Sequence, residues 1–225
     1  VPQKMGAWKD AAMKSRLQSL AVETNAGDRR LTARLQLTVS NSTAQVSYAL
    51  LTNGSLHVEM ILEPGANAPE LSRVGMQFAL PAEFDRVRWF GRGPQENYWD
   101  RKSGAAVGTY FSTVREWLTP YVRPQENANR TDVRWIVFAS AGGTGLRIKT
   151  AGQPLGLSAW PYSSAELAAA THDHELPRRD FITVNVDAAQ MGVGGDNSWG
   201  LPVHEEYRLP RKDMLDYSFE LQPVR

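Results

Sequence analysis

The chain has 225 residues, of which 42% are hydrophobic and 22% are charged, with seven tryptophans and no cysteine. This length and composition are typical of one globular domain, and all-β domains often reach this size as a single unit. The 25 basic side chains nearly cancel the 24 acidic ones, and no basic block is longer than a pair, so neither nucleic acid nor an anionic membrane is an expected partner. The lack of cysteine excludes disulfides, thiolate nucleophiles and cysteine-based zinc sites.

No apolar stretch is long enough to span a membrane, and residues 1–10 lack the basic start and the apolar run of a signal peptide. We therefore expect a soluble chain. Its polar beginning without Met, VPQKMGAWKD, fits either a fragment cut from a longer protein or a processed product, and the fragment is the preferred interpretation. We expect a single domain over residues 1–225, in which residues 1–15 are a linker from a preceding domain.

In the first half of the chain, β-branched and aromatic residues recur with a period of two. They predict strands at residues 17–23, 30–39, 45–52, 55–62, 74–80 and 84–90. Asn53-Gly54 is the strongest short hairpin signal in the sequence and joins the third of these strands to the fourth. The first half therefore predicts consecutive antiparallel strands.

The second half continues this pattern, with strands predicted at residues 107–113, 134–140, 144–150, 181–188, 203–209 and 214–221. An Ala-Gly-Gly turn at residues 141–143 links the second and third of them. One short helix is predicted in the alanine-rich run 165–170, with Ser163 or Ser164 as its N-cap. Many strands and almost no helix predict an all-β fold, a large antiparallel sandwich.

Three long loops interrupt the strands, at about residues 91–106, 119–130 and 189–202, and long ordered loops on a β scaffold are often binding loops. Two of them contain Pro-Gln-Glu-Asn, within GRGPQENYWDR and TPYVRPQENANRTDVRW, and the third is MGVGGDNSW. Amides, carboxylates, arginine and an indole face are the groups with which proteins hold sugars. Nothing in the three segments has the pattern of a complete catalytic site.

Two interpretations are open for each candidate residue. Trp199 either offers its indole to a sugar ring or caps one end of the sandwich core. The polar residues of the two Pro-Gln-Glu-Asn segments either bind a polyol or brace the loops against one another, and bracing is the commoner outcome. These residues are Glu96, Asn97, Asp100, Arg101, Glu126, Asn127 and Arg130.

Other motifs are weaker. Glu96 and Glu126 are only weak evidence for the paired carboxylates of a glycosidase, because a chain with 24 acidic residues offers many pairs. His172 and His174 would share one face of a strand and could bind a metal, but no third ligand is evident, so a solvated histidine pair is the preferred interpretation.

The stretch GRGPQENYWDRKSGAAVGTY, followed by TPYVRPQENANRTDVRW and MGVGGDNSWG, resembles the C-terminal domain of the large β-galactosidases of glycoside hydrolase family 2, which also occurs as a separate small chain. The similarity covers essentially the whole chain. It implies an antiparallel β supersandwich, galactose-mutarotase-like and similar to the aldose epimerases. It also implies that the two catalytic glutamates lie in a (β/α)₈ barrel absent from this chain, so that Glu96 and Glu126 are not the catalytic pair.

In that family the domain lends a loop to the mouth of the barrel's active site, and the tryptophan that ends this loop is an aromatic platform near the substrate. The resemblance assigns that role to Trp199, with Asp196, Asn197, Ser198 and His204 as supports of the loop. It implies the barrel or large chain and a β-galactoside as partners. It implies no cofactor for this chain and Mg or Na ions as candidates for the full enzyme. The compartment stays open between a bacterial cytoplasm and a periplasm.

Two other classes of function remain open on the sequence. One is an autonomous carbohydrate-binding or aldose-epimerase-like module, in which His172, His174 or His204 acts with a nearby glutamate. The other is a purely architectural module, which predicts a buried Trp199 and an exposed apolar patch where a partner docks.

Overall fold

The structure is a computed structural model that describes residues 5–25, 27–197, 199–209 and 213–225. Within these residues, thirteen antiparallel strands form two sheets. The strands are β1 (Arg16–Asn25), β2 (Asp28–Gln36), β3 (Thr43–Leu50), β4 (Leu56–Glu63), β5 (Arg73–Pro81), β6 (Arg86–Gly93), β7 (Ala106–Thr113), β8 (Arg130–Val133), β9 (Trp135–Ala139), β10 (Gly145–Thr150), β11 (Leu155–Trp160), β12 (Phe181–Gln190) and β13 (Leu215–Val224). The predicted all-β antiparallel sandwich is confirmed.

The two sheets differ in width. The larger one has nine strands in the order β1-β2-β3-β4-β13-β10-β9-β6-β7, and the smaller one has four in the order β5-β12-β11-β8. A single apolar core lies where they face each other, with side chains such as Trp89, Phe138, Leu157, Val184 and Phe219 almost fully buried. The four-stranded sheet leaves part of the wider sheet uncovered.

Both predicted hairpins are present. β3 pairs with β4 across the Asn53-Gly54 turn, where Gly54 has a φ of +81° and the Asn53 side chain accepts a hydrogen bond from the backbone of Ser55 at 2.9 Å. β9 pairs with β10 across residues 140–144. In both hairpins turn chemistry that is local in the sequence fixes the register.

Two short helices are capped by the same device. Helix α1 spans Val114–Trp117 and helix α2 spans Ser164–Ala169. In α2, which the sequence predicts, the Ser163 hydroxyl accepts from the backbone of Glu166, whose carboxylate accepts from the backbone of Ser163. Thr113 and Glu116 form the same capping box at α1. This helix was not predicted, because the residues before it have the pattern of a strand. None of the helices in the described ranges is long and apolar enough to cross a membrane.

The strand predicted at residues 203–209 is wrong. This segment contains a 3₁₀ turn, Glu205–Tyr207, because its hydrogen bonds close locally: Tyr207 N donates to His204 O, and the Arg208 side chain donates to Val203 O. Two strands were not predicted, β8 and β11. β11 is buried over most of its length and so lacks alternation, and β8 contains Asp132 at a φ of +54°.

The apolar inner surface of the nine-stranded sheet continues beyond the core. The register places Phe219, Val58, Tyr48, Leu31 and Val22 in one row across β13, β4, β3, β2 and β1. The exposed fraction rises along this row from 2% at Phe219 and 1% at Val58 to 36% at Tyr48 and 69% at Val22. We call this uncovered surface the β1–β3 face. Its exposed apolar residues are Leu17, Leu20, Val22, Tyr48 and Leu50.

Truncating a side chain should therefore cost much more stability in the core than on the β1–β3 face. Phe219→Ala should lower the free energy of unfolding of the chain by about 3–5 kcal/mol, because it opens a cavity in the core. Leu20→Ala on the β1–β3 face should change it by less than about 0.5 kcal/mol. Urea unfolding of the two variants checks this, and a comparable loss in both would mean that the β1–β3 face is already covered in the chain alone.

Candidate functional site

The loop at residues 191–204 follows β12 and carries the candidate tryptophan. Trp199 is 91% exposed, so the interpretation in which it caps the core is wrong. An indole that makes so little contact with its own domain has a large apolar face free for another molecule. The same exposure contradicts the buried Trp199 that an architectural module predicts.

The first part of this loop is firmly held although its tip is exposed. The Asp100 carboxylate accepts hydrogen bonds from the backbone N–H groups of Val193 at 3.1 Å and Gly194 at 2.7 Å. Gly192 N donates to Tyr207 O, and Met191 N donates to Ser72 O, both at 2.9 Å. The base of the loop is therefore tied to the first Pro-Gln-Glu-Asn segment and to two other parts of the chain.

Close packing explains the glycines of the loop. A Cβ atom at position 192 would lie 2.7 Å from Cγ of Asp100, and one at position 195 would lie 2.3 Å from the backbone oxygen of Leu201. Both distances are shorter than van der Waals contact. At position 194 the nearest atom would be 3.2 Å away. The GVGG sequence thus allows the loop backbone to approach Asp100 and then fold back on itself.

The predicted supports of Trp199 meet in this loop. Nε2 of His204 lies 2.7 Å from a carboxylate oxygen of Asp196, and the Asn197 side chain accepts from the backbone N–H of Trp199 at 2.9 Å. The hydrogen bond with Asp196, and the negative charges of Asp196 and Glu206, raise the pKa of His204 above its ordinary value. Ser198, the remaining predicted residue, lies outside the described residues.

The two Pro-Gln-Glu-Asn segments brace each other. The Glu96 carboxylate accepts from the Tyr121 hydroxyl and from the backbone of Ala128, and it lies 3.6 Å from the Arg101 guanidinium. The buried Asn97 side chain accepts from both the backbone and the hydroxyl of Thr131. The bracing interpretation is confirmed for these contacts.

The two segments also share a local conformation. In each, the asparagine side chain donates to the backbone oxygen two residues earlier: Asn97 to Gln95 and Asn127 to Gln125, both at 2.9 Å. The repeated tetrapeptide therefore encodes a repeated turn, even though the flanking sequences differ.

Glu126 belongs to a partly buried ionic network, in which Asp187 is fully buried and Arg73 and Glu126 are partly exposed. Arg73 lies 3.2 Å from Glu126 and 2.8 Å from Asp187, and it also donates to the Ser158 hydroxyl. Burial raises the pKa of both carboxyl groups, to about 7 for Asp187, while Arg73 acts in the opposite direction. Arg73 and Asp187 escaped the sequence analysis because residues 114 positions apart carry no local signal of their pairing.

The histidine pair lies on a 3₁₀ turn, Asp173–Glu175, rather than on a strand, because the Glu175 carboxylate accepts from the backbone of Thr171 and His172 and closes the turn. The rings of His172 and His174 stack with centroids 5.5 Å apart, and His172 contacts Glu175. Across the described part of the chain, no three His, Cys, Asp or Glu side chains cluster in a way that could hold a metal ion.

The fold and the loop together define a large antiparallel β-sandwich domain that presents an exposed indole from an anchored loop. Comparison with known proteins gives the family: the family model described as the β-galactosidase small chain matches residues 2–221. A β-galactosidase of Priestia megaterium is 39% identical over 223 residues, and one of Halalkalibacterium halodurans is 35% identical. The chain belongs to the β-galactosidase small-chain family.

These matches cover 99% and 97% of this chain but only 21% and 22% of the two relatives, so the chain spans about a fifth of the length of the curated relatives it matches. Among solved structures, a galactose 1-epimerase from Lactobacillus acidophilus matches with a TM-score of 0.48 and 12% identity, covering 91% of this chain and 65% of that one. A likeness of this size says nothing about activity.

Steric contact at position 192 gives a test of the loop anchor. Gly192→Ala should displace the loop from Asp100, and Gly194→Ala, which meets only a carboxylate oxygen at 3.2 Å, should disturb it less. Hydrogen exchange of the backbone amides at positions 193 and 194 measures this, and we expect at least tenfold faster exchange at Val193 in the first variant. If the amide of Val193 exchanged in both variants at the rate of the unmodified chain, Asp100 would not anchor the loop.

The Asp196–His204 pair makes the loop sensitive to pH. Because folding raises the pKa of His204 above its ordinary value of 6.5, the pair is strongest below that pH and is lost as the pH rises through the raised pKa. A proton NMR titration of His204 should show this raised value, and Asp196→Asn should lower it more than Glu206→Gln does. A pKa that does not respond to Asp196→Asn would contradict the pairing.

Proposed function

We propose that this chain is the domain of a β-galactosidase that supplies loop 191–204 and the indole of Trp199 to the active site of a catalytic barrel. The observation that carries the proposal is the combination of a 91% exposed Trp199 with a loop whose base is fixed by Asp100. A freely mobile indole would lose conformational entropy on binding, whereas an anchored one loses less.

The loop carries two kinds of group that can bind a pyranose, an aromatic face and polar side chains. The flat indole suits the C–H face of a sugar ring, and aromatic contacts of this kind contribute about 0.5–1.5 kcal/mol beyond simple area burial. Asp196, Asn197, Ser198 and His204 supply neighbouring polar groups for hydroxyls, either directly or by holding the loop. We propose a β-galactoside such as lactose as the sugar.

Bond cleavage is assigned to the barrel because the two conspicuous glutamates of this chain have other partners. Glu96 is held by Tyr121 and by the backbone of Ala128, and Glu126 is held by Arg73. We propose that the acid and the nucleophile of the retaining or inverting reaction come from the rest of the enzyme, and that any Mg or Na ion belongs there too.

The β1–β3 face supports the existence of such a partner. Burying a large aliphatic or aromatic side chain contributes about 1.5–3 kcal/mol, and five such residues of this face are exposed. An apolar surface of this kind, continuous with the core, is typical of a protein–protein interface. We propose that polypeptide from the remaining four-fifths of a β-galactosidase covers it.

Complementation tests the proposal. The chain is mixed with the Priestia megaterium β-galactosidase from which the matched fifth has been removed, and hydrolysis of a chromogenic galactoside is followed. Activity should appear only in the mixture. It should be lost with Val22→Asp on the β1–β3 face and retained with Met214→Asp, an exposed apolar residue before β13. If the chain instead mutarotates galactose alone, the autonomous epimerase-like module would replace this proposal.

Trp199→Ala should weaken sugar binding in the complemented enzyme by at least about 2- to 12-fold, because it removes the aromatic contact, equivalent to about 0.5–1.5 kcal/mol, together with the buried area, and it should alter the bond-breaking step less. Trp199→Phe keeps an aromatic face and should recover most of the affinity. Steady-state and single-turnover kinetics separate binding from cleavage. A large fall in the cleavage rate with unchanged affinity would contradict the platform role.

A further inference from the structure

A pocket of about 170 Å³ lies where the first Pro-Gln-Glu-Asn segment meets the start of β11 and the end of β12. Two side chains of that segment, Trp99 and Lys102, line it. Much of the remaining lining is apolar or small and consists of Pro154, Leu155, Gly156, Ala188 and Ala189. None of these residues belongs to loop 191–204.

The pocket adjoins the base of that loop. The last residue of β12 lines it, and the loop begins at the next residue. Trp99 directly precedes Asp100, whose carboxylate accepts from the backbone N–H of Gly194. The five residues that lead from Gly194 to Trp199 span at most about 18 Å. A ligand of a few sugar units is therefore long enough to reach both indoles.

Trp99 has an aromatic face that is open to solvent. It is 39% exposed, whereas Asn97 and Tyr98, the two residues before it, are almost fully buried. A ligand that covers the indole would not have to displace any part of the core. An accessible indole next to apolar residues suits a ligand that is flat and apolar on one side.

Lys102 supplies a donor that is held in place at the pocket. Its side chain is 30% exposed, and Nζ lies 3.2 and 3.3 Å from the two carboxylate oxygens of Asp132. Although burial raises the pKa of Asp132, the hydrogen bonds from Arg92 and Lys102 lower it overall, so this carboxylate stays ionised and fixes the ammonium. An ammonium has three N–H donors, and one carboxylate does not use them all.

The charges of the lining favour a neutral ligand. Lys102 and Asp132 are the charged residues among the described residues that line the pocket, and they compensate each other. A hydroxyl oxygen can accept from the remaining Lys102 donor while the C–H face of a sugar ring packs on the indole of Trp99. A neutral pyranose combines these two features.

We propose that this pocket is a further sugar subsite, which holds a neutral pyranose by stacking on Trp99 and by a hydrogen bond from Lys102. It extends the sugar-binding surface of the domain from Trp199 to a second unit of the saccharide. The inference rests on the proposed function for its class of ligand, but the groups that carry it are separate from loop 191–204.

The test uses the whole chain with Trp199→Ala and lactose as the probe, and saturation-transfer difference NMR measures the weak binding. Lactose should bind saturably. Adding Trp99→Ala should weaken binding by at least about 2- to 12-fold, and Trp99→Phe, which keeps an aromatic face, should recover most of it. Lys102→Met, which keeps the aliphatic stem but removes the donor, should weaken binding about fivefold.

Phe111→Ala is the matched control, because Phe111 is an aromatic residue that is 71% exposed and lies outside this pocket. It should leave lactose binding unchanged, and the ¹⁵N spectrum of each variant checks its fold.

The absence of saturable lactose binding would overturn the proposal, as would binding that either Trp99→Ala or Lys102→Met leaves unchanged. An equal loss in Phe111→Ala would also overturn it, because it would show unspecific contact with exposed aromatic rings. Since the barrel is absent and Trp199 is already replaced, these results are independent of complementation. Failure here would leave the proposed function standing, and failed complementation would leave this measurement decisive.

Discussion

The structure around the candidate site depends on one carboxylate. Asp100 accepts from two successive backbone N–H groups of a loop that lies more than ninety residues further along the chain. Those N–H groups belong to no strand or helix, so without Asp100 they would need water or another acceptor. The contact also requires glycine at position 192, where any Cβ would overlap the carboxylate. Sequence, backbone conformation and the position of Trp199 are linked through this interaction.

A second set of polar contacts holds Asp100 itself in place. The segment that contains it is tied to the other Pro-Gln-Glu-Asn segment through Glu96 and Asn97, and that segment is tied to the four-stranded sheet through Glu126 and Arg73. Long loops with buried polar side chains are stable only when those side chains are nearly all satisfied. The exceptions within these segments include the Tyr98 hydroxyl, Asp100 Oδ1, Asn127 Oδ1 and Asn129 Oδ1, which are buried with no hydrogen-bond partner among the described residues.

Much of the fold is visible in the sequence where the determinants are local. The Asn53-Gly54 hairpin, the Ser163 cap and the alternating strands all depend on residues within a few positions of one another. The division into a nine-stranded and a four-stranded sheet does not, because β5 and β12 are joined by pairings over a hundred residues apart. Strand β11 is buried without alternation, and residues 203–209 have a strand-like composition but close their hydrogen bonds locally. For the site, the motif located the loop, but only the structure decided between a buried and an exposed Trp199.

In the proposed function Asp100 positions Trp199 for the sugar, and a double-mutant cycle tests this proposal most directly. Sugar affinity is measured in the complemented enzyme for Asp100→Ala, Trp199→Ala and the double variant, with folding checked in each. If Asp100 acts through Trp199, Asp100→Ala weakens binding to an extent approaching that of Trp199→Ala, and the double variant is no weaker than Trp199→Ala alone. Fully additive losses, or an Asp100→Ala variant that binds sugar as well as the unmodified chain does, would contradict it.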